Sequence, residues 1–245
     1  MKLDGAVVIV TGASSGIGAA TARLASARGA KVVLAARRLD RIAELAGQLP
    51  NAFPVQTDLR DPDQIRRLVD SAVVRFGHVD VLVNNAGQGL HVPLEHVRLE
   101  DLRAVTELNF YAPLLAMQAV IPVMRKQGGG AIVNVSSMTS RMVLPGVGGY
   151  SATKSGLNML SAVARRELAG DGIAVSTVYP SVTATEFHQS LAAGARVGGG
   201  WSGPPPPSAE KVAEAILALI ESGDEETQLT QDWGGVPGRG SQADR

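Results

Sequence analysis

No cysteine occurs in the chain's 245 residues. That excludes disulfide bonds and thiol catalysis, and it removes the ligand most structural zinc sites use. It fits a reducing compartment, and the expectation is a cytoplasmic protein. Net charge is absent too: 23 Lys and Arg balance 23 Asp and Glu. No basic surplus points to nucleic acid or to an acidic membrane surface, so neither is an expected partner. Long apolar runs are also missing. Leu114 to Met124 is apolar except for Gln118, a run too short to span a bilayer. Met1-Lys2-Leu3-Asp4 places an acid where the apolar region of a secretory signal would begin. No internal repeat marks a solenoid. What remains is one α/β domain over 1–245, long enough to bury its own core.

The chain is organised around Val7-Val8-Ile9-Val10-Thr11-Gly12-Ala13-Ser14-Ser15-Gly16-Ile17-Gly18. A short apolar run reads as a buried strand. Three glycines follow, and then Ala19, Ala20, Ala22, Leu24 and Ala25 recur at helical spacing. A strand turning through glycines into a helix is a phosphate-binding device. Gly12 permits a sharp turn, Gly16 clears room for a pyrophosphate, and Gly18 lets the helix pack close to the strand. The helix N-terminus then offers free N–H groups to the anion. The spacing is G-x-x-x-G-x-G rather than G-x-G-x-x-G. Taken alone, the stretch could also be a tight turn without a ligand.

Strand and helix signals alternate beyond this point, which predicts a doubly wound parallel sheet between two helical layers, a Rossmann fold. Strands are expected at 6–10, 31–35, 53–56, 79–83, 131–135 and 173–178, with a weak one near 227–230. Helices are expected at 16–28, 39–49, up to Phe76 from a cap at Asp61 with Pro62 in first position, at 150–168, and from a cap at Ser208 to about 220. Leu99 to Arg125 carries a long helical pattern, and Pro113 and Pro122 should kink or break it. Residues 183–207 lose periodicity. Part of that segment, 186–208, is expected to be a substrate lid, and 234–245 a mobile tail. The Pro204–Pro207 run reads as a stiff spacer, with a proline-recognising partner as the alternative.

An acid that would bind an adenosine ribose should end the second strand. There the chain reads Ala35-Ala36-Arg37-Arg38. Two guanidiniums suit a phosphate instead, unless they only solvate a helix start. Tyr150 and Lys154 stand at i and i+4 and so share one helix face. A tyrosine has an ordinary pKa of about 10. A nearby cation favours the phenolate, so a lowered Tyr150 pKa is expected. Such a tyrosine can exchange a proton with a carbonyl or alcohol oxygen. Ser137, just beyond the fifth strand, can bond the same oxygen. A lone Y-x-x-x-K arises by chance on helix surfaces.

Thr11-Gly12-Ala13-Ser14-Ser15-Gly16-Ile17-Gly18, Asn84-Asn85-Ala86-Gly87, Ser137 and Tyr150-Ser151-Ala152-Thr153-Lys154 occur in one order. In that order they resemble the short-chain dehydrogenase/reductase family, over roughly residues 3 to 187. The resemblance implies that Tyr150 is the acid/base. It implies that Lys154 lowers its pKa and binds the nicotinamide ribose, and that Ser137 orients the carbonyl. It implies that Asn109 holds a water in a proton relay to Lys154. Read from the residues alone, Asn109 could equally be a buried asparagine satisfying a kinked helix.

The cofactor contacts implied are Gly12, Ser14, Ser15, Gly16, Ile17, Gly18, Arg37, Arg38, Asp58, Leu59, Asn85, Ala86, Gly87, Tyr150, Lys154, Pro180, Thr183 and Thr185. Asp58 would touch adenine, or be only a turn residue. In the family, an aspartate selecting NAD falls where Ala36 stands, and an arginine selecting NADP falls at Arg37. NADP(H) is therefore expected over NAD(H), and no metal. Two features depart from the family: Pro180-Ser181 replaces the usual Pro-Gly, and Asp232-Trp233-Gly234-Gly235 only echoes the usual C-terminal motif.

The expected activity is reduction of a small carbonyl, or oxidation of the matching alcohol. The alternatives are an NAD-preferring alcohol dehydrogenase and a non-catalytic, cofactor-sensing Rossmann protein. An epimerase would carry G-x-x-G-x-x-G, and an enoyl reductase a wider tyrosine–lysine spacing. Phe187, His188, Leu191, Val197 and Trp201, with Leu90, His91 and Val92, predict a partly apolar substrate pocket. The expected oligomer is a dimer through the helices at 101–125 and 150–169, with a tetramer as the alternative.

Overall fold

Seven parallel strands form the central sheet of the computed structural model, which describes residues 1–183, 185–189, 191–195 and 206–229. The first half runs β1 (Val7–Thr11), α1 (Gly16–Ala27), β2 (Lys31–Ala36), α2 (Leu39–Gly47), β3 (Ala52–Gln56), α3 (Pro62–Phe76) and β4 (Val81–Asn84). Then come β5 (Leu90–His91), α4 (Leu99–Thr106), α5 (Ala112–Gln127), β6 (Gly130–Val135), α6 (Gly148–Leu168), β7 (Ile173–Pro180), β8 (Ala193–Gly194), α7 (Ala209–Ser222) and β9 (Glu226–Leu229). The strand order is β3-β2-β1-β4-β6-β7-β9. The chain winds outward from β1 to β3, returns to β4 beside β1, and winds the other way. Such a reversal opens a crevice at the carboxyl ends of the two middle strands.

Alternation within each strand fills two cores. Val8, Val10, Val32 and Leu34 face Ala22 and Ala25 of α1 and Val212, Ile216 and Ile220 of α7. Val7, Ile9, Val33 and Ala35 face Ile65 and Leu68 of α3 and Ala116, Met117 and Val120 of α5. The predicted boundaries lie within a few residues of those observed. At α3, Asp61 accepts from the N–H groups of Asp63 (2.8 Å) and Gln64 (3.3 Å) with Pro62 in first position, as expected.

The predicted interruptions between residues 99 and 125 differ in outcome. Ahead of Pro113 the helix widens into a π turn, Glu107–Tyr111. At Pro122 it continues, because fully buried Val120 and Met124 anchor it on either side. The whole stretch Leu99–Gln127 is long and apolar enough, by composition, to cross a bilayer. Here its inner face is spent on the sheet.

The short β5–β8 pair has no counterpart in the predicted elements. It ties Ala193 and Gly194 of the expected lid to Leu90 and His91. The expected tail 234–245, Val197, Trp201, Asp232-Trp233-Gly234-Gly235 and part of the lid and proline run lie outside the described residues.

Candidate active site

One cavity of about 690 Å³ lies at the carboxyl ends of the middle strands. Its floor is the glycine loop. Gly12 has φ 67°, and a Cβ there would stand 2.9 Å from the Cα of Ala86. A Cβ on Gly18 would meet the Gly12 carbonyl oxygen at 2.3 Å. Gly18 is thus the packing glycine beneath the loop, not part of the cavity wall. The start of α1 has no side-chain cap from Ser15 and no acid in its first turn. Its free N–H groups, with Gly16 and Ile17, border the cavity. That donor set fits a dinucleotide's pyrophosphate.

The cradle is tied across the sheet. Thr11 Oγ1 donates to the Val83 carbonyl (3.1 Å) and accepts from the N–H groups of Asn85 (3.0 Å) and Ala86 (3.1 Å). Asn85 Nδ2 donates to the Thr11 carbonyl oxygen (2.9 Å). Beneath, Asn84 Nδ2 donates to Asn134 Oδ1 (2.9 Å), and Asn134 Nδ2 donates to Ser161 Oγ (2.8 Å). Sequence reasoning missed Thr11, Asn134 and Ser161. The available signal was Asn134, a lone amide inside the apolar run of β6.

At one end of the cavity stand Arg37, Arg38, Asp58 and Leu59. Arg38 Nη2 donates to Ser14 Oγ (2.7 Å) and Ser15 Oγ (3.1 Å). Glu186 places its carboxylate 3.1 Å from Arg41 and 3.7 Å from Arg38. Arg37 is exposed on the rim. Asp58 does what a turn residue does, accepting from the Arg60 N–H (3.0 Å), while it also lines the cavity.

At the other end are Ser137, Tyr150 and Lys154, with Asn85, Ala86, Gly87, Pro180, Thr183 and Thr185 along the wall. Tyr150 is packed between His91 and Phe187, with ring centroids 6.3 and 5.9 Å away. Lys154 Nζ donates to the Val135 carbonyl oxygen (2.8 Å) and is 3% exposed. Burial pulls Lys154 down to about 8 and pushes the Tyr150 phenol up to about 12, while a hydrogen bond with Ser137 pulls the phenol the other way. The lowered phenol pKa expected from the sequence is therefore not met: the shift runs upward. Desolvation disfavours the phenolate more than its neighbours favour it. Met138, Met142, Leu144, Val147 and Phe187 also wall the cavity, with Thr139 beside Ser137.

Asn109 lies behind this wall, fully buried in the π turn. Its Oδ1 accepts from the Gln88 N–H (2.9 Å). Its Nδ2 donates to the Gln88 carbonyl (2.8 Å) and to Thr153 Oγ1 (3.2 Å). A Cβ on Gly87 would stand 3.3 Å from Asn109 Oδ1 and 3.4 Å from Lys154 Nζ. Asn109 and Lys154 thus flank the same glycine.

Comparison with known proteins gives one answer. Residues 6–196 match the family described as short chain dehydrogenase. The 3-oxoacyl-[acyl-carrier-protein] reductase FabG of Thermotoga maritima is 36% identical, covering 97% of this chain and 98% of its own. The 3-ketoacyl-(acyl-carrier-protein) reductase of Brucella melitensis, solved with NADH, superposes with a TM-score of 0.83 at 27% identity, over 92% of this chain and 98% of that one. An alcohol dehydrogenase of Thermococcus sibiricus, solved with 5-hydroxy-NADP, gives 0.81 at 27%, over 92% and 96%.

Proposed function

The chain belongs to the short-chain dehydrogenase family of oxidoreductases, and we propose that within it the protein is an NADP(H)-dependent carbonyl reductase. The observation that carries this reading is one cavity with two ends. The uncapped N-terminus of α1 and the arginine pair lie at one, and Ser137, Tyr150 and Lys154 lie at the other. The glycine loop and α1 would hold the pyrophosphate, Arg37 and Arg38 a 2′-phosphate, Asp58 and Leu59 the adenine, and Lys154 and Thr185 the nicotinamide end. When bound there, a nicotinamide cofactor supplies or accepts hydride. Tyr150 gives its phenolic proton to the carbonyl oxygen, or takes one from the alcohol in reverse. Ser137 bonds that oxygen and holds it beside the phenol. Lys154 stabilises the phenolate left behind, and Asn109 with Lys154 returns a proton through solvent.

The apolar substrate wall favours a carbonyl carrying an apolar substituent. The kinship with 3-oxoacyl reductases makes a 3-oxo ester the first compound to try. Glu186 and Phe187, which border the cavity, would lie against this substrate. Tyr111, Met159 and Val163 are exposed apolar residues on the α5 and α6 side, and they favour the homodimer. The cytoplasmic setting rests on the absence of cysteine.

A second reading, an NAD-preferring alcohol dehydrogenase, is favoured by Glu186. Its carboxylate partly neutralises Arg38, one of the two arginines proposed for a 2′-phosphate, and the neighbouring Arg41. The test is absorbance of the reduced cofactor, with NADPH and NADH each offered ethyl acetoacetate, cyclohexanone and benzaldehyde. Faster turnover with NADPH is expected. Faster turnover with NADH would favour the second reading, equal rates would overturn the preference for NADP(H), and no turnover of any carbonyl, or of the matching alcohols, would overturn both.

A further inference from the structure

Ser137 has one proton and two lone pairs to place. A hydroxyl oxygen can accept two hydrogen bonds and donate one. Both acceptor positions are taken by a single residue, Thr139. Its backbone N–H donates to Ser137 Oγ at 3.2 Å, and its own hydroxyl donates to the same oxygen at 3.0 Å. The Ser137 carbonyl is engaged as well, accepting from Ser140 Oγ at 2.6 Å. Ser137 itself sits in extended backbone, φ −161° and ψ 148°, at the head of the short 3-10 turn Met138–Ser140. Thr139 lines the cavity beside it. The only hydrogen-bonding capacity Ser137 has left is its proton.

We propose that Thr139 is a positioning residue that makes Ser137 a hydrogen-bond donor to the reacting oxygen and keeps the Tyr150 proton free for transfer. It rests on the proton-donor role proposed for Tyr150. With its lone pairs filled, the Ser137 hydroxyl is left with its hydrogen to donate to the carbonyl oxygen when substrate arrives. Were a lone pair open, Ser137 could accept from Tyr150 and tie up the proton the reaction needs. In the reductive direction hydride adds to the carbonyl carbon and the π pair moves to oxygen. That oxygen takes the proton from Tyr150, leaving phenolate, while Ser137 donates to the same oxygen throughout.

Thr139→Val keeps the side-chain shape and the backbone N–H but removes the hydroxyl donor. The assay uses NADPH with whichever of ethyl acetoacetate, cyclohexanone and benzaldehyde turns over fastest. Thr139→Val lowers kcat about tenfold, less than the roughly hundredfold or larger loss from deleting an oxyanion donor outright. KM changes less than about twofold, because the interaction strengthens only as charge develops on oxygen. Thr139→Ser, which restores the hydroxyl, recovers turnover to within about threefold, a partial recovery because serine loses some rotamer restriction. In a Ser137→Ala background, Thr139→Val costs nothing further, the signature of two residues acting as one unit.

Thermal midpoints accompany each variant, and Thr139→Ala replaces valine if the valine protein does not fold. Unchanged kcat in Thr139→Val, an equal loss in the Ser137→Ala background, or no recovery in Thr139→Ser would each overturn the proposal. Full turnover by Tyr150→Phe is a separate failure: it removes the proton-donor reading, and this inference falls with it.

Discussion

The two ends of the cavity carry the same kinds of charge in opposite settings. At the end lined by the arginines, Arg38 and Arg41 meet Glu186 with side chains 43–50% exposed. At the end lined by Ser137 and Tyr150, Lys154 is buried, its ammonium bonded only to the Val135 carbonyl among the described residues. Water screens the first group, so each ion pair there contributes about 0–1 kcal/mol. Burial dominates the second, where it pushes the Tyr150 phenol up and the Lys154 ammonium down. Charge at the exposed end selects a ligand in small increments. Charge at the buried end is costly, and an oxygen that gains negative charge beside it is stabilised.

The most severe way to break this contrast is Tyr150→Phe. The ring and its packing between His91 and Phe187 remain, but the proton is gone. Turnover should fall about 10²–10⁴-fold, the usual worth of a general acid. Cofactor affinity, measured by fluorescence titration, should change little. Retained turnover would mean that the buried end is not where the chemistry occurs.

Next in size is a pH effect on stability. Lys154 has a folded pKa near 8, below its ordinary value of 10.5. Between those values the unfolded chain binds more protons than the folded one, so stability rises with pH. The burial penalty is full below about pH 8 and is relieved as pH climbs towards 10.5. Its size is of order 2–3 kcal/mol. Tyr150, raised to about 12, acts with the other sign, but only above about pH 10, where the unfolded phenol ionises first. Urea unfolding at pH 7.5 and 9.5 should therefore show a steeper rise in the parent than in Lys154→Met. Equal slopes would show that the ammonium is not desolvated as its burial implies.

Arg37→Ala addresses the exposed end. A charge-assisted bond to phosphate is worth about 1.5–3 kcal/mol, so NADPH should weaken roughly tenfold or more while NADH is spared. Ala36→Asp should move preference towards NADH, by adding a carboxylate that repels the phosphate and accepts from a free ribose hydroxyl. Specificity constants for both cofactors decide it. Equal weakening of the two by Arg37→Ala would leave these arginines as surface solvation.

Glu186→Gln has the smallest expected effect. Removing the carboxylate frees Arg38 and Arg41, so NADPH should bind up to about fivefold tighter, within the reach of an exposed ion pair. NADH affinity should stay within error. No change in either affinity would show that Glu186 does not compete for the arginines.

What could be read in advance was what is local. The glycine loop, the Asp61–Pro62 cap and the strand alternation announce themselves within a few residues, because their causes lie there. Of Asn109, Ser137, Tyr150 and Lys154, three were legible as residue types in order, and those three line one cavity. The fourth, Asn109, was legible only by resemblance. Its partners Gln88 and Thr153 lie 21 and 44 residues away, and the π turn that aims it has no periodic signature. The direction of the Tyr150 shift was misread because spacing tells which charge is near but not how much water is excluded. The β5–β8 pair was invisible because two residues of each strand are too few for a pattern.

The tie between Thr11 and Asn85 has a consequence for the order of assembly. Its partners are 74 residues apart, whereas helices close over four. Contacts so distant in sequence can form only after a large loop has been closed, so they come late in folding. The floor of the cavity has no existence in either segment alone: the turn after β1 supplies it, and the segment after β4 holds it in place. During refolding, helical signal should therefore return before the ability to grip a cofactor, and the protein becomes an enzyme only at the end of its own assembly.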